Sequence, residues 1–161
     1  MKKLIMTLAV CLAAVVGVNA QDVYDEIMRL SKEVRDDKSK DLQTRRVASF
    51  KVDGLTYMMQ ATRDMMPDSL LTTVLNNQAY ALYDFVNTYV TLYKNSGKKK
   101  EMEKIKQIFT DASLNNPRFN DKDKELTHAY IDADGFNTPF SLDTDWVLAL
   151  DEVKKKLRTM M

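Results

Sequence analysis

Residues 68–95 read DSLLTTVLNNQAYALYDFVNTYVTLYKN, and the spacing of their apolar side chains decides the fold. At about 100° per residue, Leu71, Leu75, Leu82, Val86, Tyr89 and Tyr93 fall within about 60° of one another. Val74, Ala81, Phe85 and Leu92 widen one flank of that stripe, and Ala79, Tyr83 and Val90 widen the other. The resulting arc spans about 200°, broader than the stripe of a helix that touches one neighbour. Such a helix is expected to be the hub on which several others pack. Asn95-Ser96-Gly97 closes it, with Gly97 where helices commonly turn left-handed.

The flanking segments carry narrower helical stripes. Val23, Ile27, Leu30 and Val34 recur on one face, with Asp25 and Arg29 spaced for an ion pair. Asp36 to Lys40 is a polar connection. A second helix is expected from about Asp41 to Met66, with Val47, Phe50, Met58, Ala61 and Met65 on one side, and Pro67 stops it. Within it, Gly54 either admits a close neighbour or marks a turn at Val52-Asp53-Gly54 that splits the segment. Beyond the hub, Met102, Ile105, Phe109 and Ala112 mark a helix from about Lys99 to Leu114, stopped by Asn115-Asn116-Pro117. Leu126 and Tyr130 mark a short one from about Asp121 to Ile131, followed by a loop through Gly135 and Pro139 to Leu142. A last helix starts near Asp143 and presents Trp146, Leu150, Val153 and Leu157. Nowhere does a period of two persist, so no sheet is expected. The fold class is all-α: a single-domain helical bundle or short α-superhelix of about six helices packed on a long central helix.

The first twenty residues are a separate matter. Lys2 and Lys3 precede an uncharged apolar run from Leu4 to Val18, which ends at Val18-Asn19-Ala20. A basic head, a short apolar middle and small residues before Gln21 make a secretory signal peptide. The run is too short for a spanning helix, and Cys11 follows the bulky Val10, which disfavours lipidation there. Residues 1–20 are therefore expected to be removed, leaving 21–161 as one domain in the periplasm or outside the cell, with no stable membrane insertion. Losing Lys2 and Lys3 leaves 22 basic side chains against 23 acidic ones, a formal charge of −1. That balance argues against a nucleic-acid partner. Cys11 is the only cysteine, so a cleaved chain has no disulfide, thiol chemistry or thiolate metal site.

Two resemblances accompany this reading. Phe109, Ala112 and Pro117, followed by Leu126 and Tyr130, resemble a junction between tetratricopeptide repeats; the likeness covers about one repeat, and no self-similarity extends it. The signal peptide, Phe50-Lys51, Asn116-Pro117 through Asp121, and Thr138 to Asp143 together resemble small exported helical proteins of Gram-negative bacteria with no assigned function. That resemblance implies a compartment and a helical fold and no activity.

A few residues could carry chemistry. Asp132-Ala133-Asp134-Gly135 matches the third to sixth positions of a calcium loop, but Tyr130 and Ser141 stand where its first and twelfth ligands belong. His128 is the sole histidine and lacks a visible nucleophile or ligand partner. Gln78 projects into the middle of the apolar arc, where its amide must find a helix end, a tyrosine hydroxyl or a ligand. Tyr80 faces the polar side of the same helix and is a candidate contact for a partner or a glycan. Met58, Met59, Met65 and Met66 form two pairs seven residues apart, a pattern of core filling with cuprous copper as its functional counterpart. Lys98-Lys99-Lys100 is a solvated run that could meet anionic lipid or polysaccharide. Nucleophile elbows, zinc-helix motifs and phosphate loops are missing from the sequence, and no cofactor is implied. The favoured function is binding, with a protein partner in the periplasm or at the cell surface. The alternative is a small-ligand or carbohydrate-acting enzyme whose cleft is lined by Gln78, His128 and acids between Asp132 and Asp145.

Overall fold

The computed structural model describes residues 23–66, 72–121 and 139–160. Five helices and no strand are present among the described residues: α1 (Val23–Asp36), α2 (Leu42–Met65), α3 (Thr72–Asn95), α4 (Lys99–Asn115) and α5 (Trp146–Met160). Every regular element among the described residues is a helix, in keeping with the apolar spacings. The leader of residues 1–20 and, beyond Asp121 itself, the short helix expected over Asp121–Ile131 lie outside the described residues, as does the calcium-like loop.

α1 and α2 form an antiparallel hairpin. Tyr24 Oη donates to the Leu55 carbonyl at 2.8 Å, and Arg45 Nε donates to the Arg35 carbonyl at 2.9 Å. α2 begins at an Asp-x-x-Thr cap: the Asp41 carboxylate accepts from the Thr44 N–H at 2.9 Å and from its hydroxyl at 2.6 Å. This satisfies one of the helix's orphan donors. Ile27 of α1 is buried as expected, but Leu30 is 39% exposed and Ser31 takes the inward position. Arg29 does not hold Asp25; it bonds Glu26 at 2.7 Å, and Glu33 on its other side.

α2 is continuous through Gly54, which resolves the two readings of that residue. A Cβ at Gly54 would stand 3.2 Å from Leu82 Cδ2, so the missing side chain lets α3 come close. α3 packs on each of the other four described helices. Leu75, Leu82, Val86 and Tyr89 are buried along its expected stripe, with Ala79, Ala81 and Phe85 beside them. Gly97 is not in the left-handed region; the α3 end is closed instead by the Ser96 hydroxyl, which donates to the Leu92 carbonyl at 3.0 Å.

Phe85 lies at the centre of an aromatic cluster. Its ring is 5.0 Å from Phe109 of α4, 5.1 Å from Phe140 and 5.4 Å from Trp146, all in edge-on geometries. Phe50 of α2 closes on the same pair, at 6.0 Å from Phe140 and 6.1 Å from Trp146. Edge-to-face contacts of this kind contribute beyond the area they bury. Phe140 lies in the irregular segment before α5, where no periodicity announces it.

Candidate functional site

Two helix faces make a groove. Thr73, Asn76, Asn77 and Tyr80 follow the i, i+3, i+4, i+7 spacing of one face of α3, and Val147, Leu150, Asp151 and Lys154 repeat that spacing on α5. With Val23 of α1 and Ala81 they enclose about 470 Å³. One wall is thus mainly amide and hydroxyl, and the other starts apolar and ends charged.

Asn76 and Asn77 sit at different depths in the first wall: Asn76 is 6% exposed and Asn77 is open to solvent. Asn76 Oδ1 accepts from the Tyr24 N–H at 2.9 Å, an orphan donor of the first turn of α1. Its Nδ2 is buried with no hydrogen-bond partner. Tyr80 is half-buried in the groove, and its phenol is raised above the ordinary range by burial, then by the nearby Asp84 and Tyr83. The charges at the far end are matched. Lys154 bonds Asp84 at 3.0 Å, and Asp151 bonds Lys155 at 2.6 Å.

Gln78 does not open into this groove. Its Nε2 donates to Asp145 Oδ1 at 2.8 Å, and its Oε1 accepts from the Trp146 N–H at 2.8 Å. Both ends of the amide are therefore committed to the start of α5, one of the three partners open to it from the sequence. Asp145 also accepts from the Leu148 N–H at 3.1 Å and pairs with Arg118 at 2.9 Å. It caps α5, so the helix proper begins three residues later than the expected Asp143. Asp143 has another task. Its Oδ1 accepts from the N–H groups of Arg118 and Phe119 at 3.1 and 2.8 Å, and its Oδ2 accepts from that of Asp121 at 2.8 Å. Asn120, in the middle of that run, has φ 51, a left-handed value that asparagine tolerates. Ser113 and Thr144 meet at 2.8 Å and Asn116 donates to Glu152 at 2.7 Å, tying α4 to the same region.

The structure thus brings together Gln78 and Asp145 of the suggested cleft, but as a cap. Tyr80 lies in a groove formed only when α5 packs beside α3, which no local spacing predicts. His128, Asp132 and Asp134 fall outside the described residues. Periodicity does not single out Asn76 and Asn77, although with Gln78 they make three consecutive amides inside an apolar helix, an unusual signal. Lys51 is not singled out either. It is 8% exposed, donates to Asn87 Oδ1 at 2.6 Å and lies 4.6 Å from the centre of the Tyr83 ring. Burial pushes its ammonium down to about 8.

Of the expected methionine pairs, Met58 is buried and Met59 half-buried, whereas Met65 and Met66 at the α2 end are exposed. Lys98, Lys99 and Lys100 are all exposed at the start of α4. Among the described residues no three His, Cys, Asp or Glu side chains gather as a metal site, and no helix is long and apolar enough to cross a membrane. No family model, curated protein or solved structure matches this chain.

Proposed function

We propose that this protein is an exported binding module that holds a protein partner in the groove bounded by α1, α3 and α5. Export rests on the leader pattern of Lys2, Lys3 and the run from Leu4 to Ala20. The same reading takes residues 21–161 as one domain of about six helices built on α3, supported by the packing of α3 on its four described neighbours. The observation that carries the binding function is the groove itself: a concave surface with the amides and hydroxyls of Thr73, Asn77 and Tyr80 on one side and Val147 and Leu150 on the other. The commitment of Gln78 and Asp145 to the α5 cap favours binding over a cleft-based enzyme, because a capped amide and a salt-bridged carboxylate are poorly placed to act on a substrate.

Photo-crosslinking in the native host tests this. Benzoylphenylalanine in place of Val147 or Asn77 should yield one discrete protein adduct, and the same group in place of the exposed Lys106 on α4 should not. Equal adducts from both faces, or none from the groove, would reject the site. N-terminal sequencing of the same material should begin at Gln21; a chain beginning at Met1 would remove the export claim.

A further inference from the structure

We infer that the end of the bundle where α1 and α3 stop and α2 and α4 start is a docking face for an anionic lipid bilayer, with Leu42 entering the headgroup layer. This face is separate from the groove. α2 and α4 run antiparallel to α3, since Lys51 reaches Asn87 and Phe109 meets both Phe85 and Tyr89. α5 runs beside α3 in the same direction, Gln78 bonding Trp146 and Asp84 bonding Lys154. Basic residues distant in sequence therefore collect at one end. Residues 35–46 and 94–101, with Arg158, bring 10 basic side chains against 4 acidic ones. The rest of 21–161 has 12 against 19, so a chain of nearly balanced charge is strongly polarised.

Folding does not account for this collection. Lys94 and Arg158 do complement the negative ends of α3 and α5. Lys98, Lys99 and Lys100 do the reverse. They crowd the positive end of α4, where Lys98 stands in the cap position and supplies no side-chain bond, and all three are exposed with no described carboxylate paired to them. Lys38 and Lys40 are exposed in the turn before α2. A local rule broken without structural return marks a surface kept for contact. Charge selects an anionic partner, and Leu42 selects its kind. Leu42 opens α2 directly after Asp41, on which Lys94 acts electrostatically, and is 58% exposed. A bilayer offers headgroup phosphates to lysines drawn from separate loops and an apolar layer beneath to one leucine, whereas a soluble polyanion offers only the phosphates. The α3 wall of the groove ends at Tyr80, about 20 Å along the helix from Lys94, so a docked molecule keeps the groove clear.

Co-sedimentation with vesicles tests this, using the protein recovered from its host. It should bind phosphatidylcholine vesicles containing about one-third phosphatidylglycerol and ignore pure phosphatidylcholine, and the binding should weaken steeply as salt is raised. Lys99→Gln with Lys100→Gln should weaken it about tenfold or more. Arg29→Gln with Arg63→Gln removes the same charge away from that end and should change it by less than about twofold. Leu42→Gln should weaken vesicle binding several-fold and leave binding to soluble polyphosphate unchanged. All of these side chains are exposed, so the variants fold as the parent does, which circular dichroism checks. No binding, no preference for phosphatidylglycerol, or equal losses from the two double variants would overturn the docking face. Vesicle binding indifferent to Leu42→Gln, with polyphosphate bound as well, would show a general anion patch and overturn the bilayer as its partner.

Discussion

Lys51 carries four methylenes into the α2–α3 interface and leaves its ammonium with an amide oxygen and an aromatic face for company. Burial holds its pKa at about 8, against an ordinary value of 10.5. Below about pH 8 both folded and unfolded chains are protonated, and the cost of burying the charge is present in full. Between about 8 and 10.5 the unfolded chain binds more protons, so this group's contribution to stability rises with pH and levels off above that window. Lys51→Met should therefore be more stable than the parent at pH 7, by roughly 2 kcal/mol once the lost bond to Asn87 is counted. The gap should shrink steadily towards pH 10.5. Urea titrations of both proteins across that range check this, and a gap independent of pH would contradict it. The difference between the two proteins is the proper readout, because Tyr24 is pushed up to about 12 and Tyr89 is raised as well, both mainly by burial. Phenols raised by folding lower stability above pH 10 in both proteins alike. From sequence, a lysine near the apolar face of a helix is taken to reach out to water; nothing in the spacing of α2 says that Tyr83 and Asn87 will close over it.

Helix by helix, periodicity located the inward faces well and the helix ends less well. The stripes of α2, α3 and α4 are buried around Val47, Leu82 and Ile105 as their spacing predicts, except at the end of α2, where Met65 is 52% exposed because the helix stops beside it. At α1 the exchange of Leu30 for Ser31 reflects a short helix covered by α2 and by α3, whose inward direction is set by two neighbours and not by its own apolar average. The start of α5 depends on contacts remote in sequence. Gln78 was visible as an amide in an apolar arc, but its partners, Asp145 and the Trp146 N–H, lie 67 and 68 positions away. Gln78→Met keeps the length of the side chain and removes both bonds, which should cost roughly 1–3 kcal/mol through the buried donor left unpaired at Trp146. Gln78→Glu restores the acceptor but sets a second carboxylate against Asp145. Its loss of stability should be larger at pH 7 than at pH 4, where protonation of one acid relieves the repulsion. Thermal melts at the two pH values check the sign. A Gln78→Met protein as stable as the parent would mean that the cap is dispensable and would return Gln78 to the candidates for ligand contact.

For the molecule as a whole, the question is whether α5 is integral to the bundle or docks on a core made by α1, α2 and α3. The segment 139–145 holds the answer, since two anchors of different kinds fix it. Phe140 inserts its ring between Phe50, Phe85 and Tyr89 and is fully buried, and Asp143 gathers three backbone N–H groups from Arg118, Phe119 and Asp121. Neither was legible in advance, because an irregular segment has no period to betray a core residue and an aspartate before a helix reads as its cap. Phe140→Ala should cost about 3–5 kcal/mol as a core truncation. Asp143→Asn keeps one acceptor oxygen and loses the other, a cost of roughly 1–3 kcal/mol. Both side chains serve one short stretch of backbone, so the double variant should lose less than the two costs combined, with a coupling of about 1 kcal/mol or more. Trp146, the only tryptophan, stacks edge-on with Phe50 and Phe85 and reports on that stretch directly. In the parent protein its fluorescence and the far-ultraviolet circular dichroism should fall together in urea, as one cooperative transition. In Phe140→Ala the same coincidence should hold at a lower midpoint if α5 belongs to the core. A tryptophan signal lost before the helical signal would show instead that α5 detaches first, and then the α5 wall of the groove would be a mobile one, formed only while Phe140 and Asp143 both keep their places.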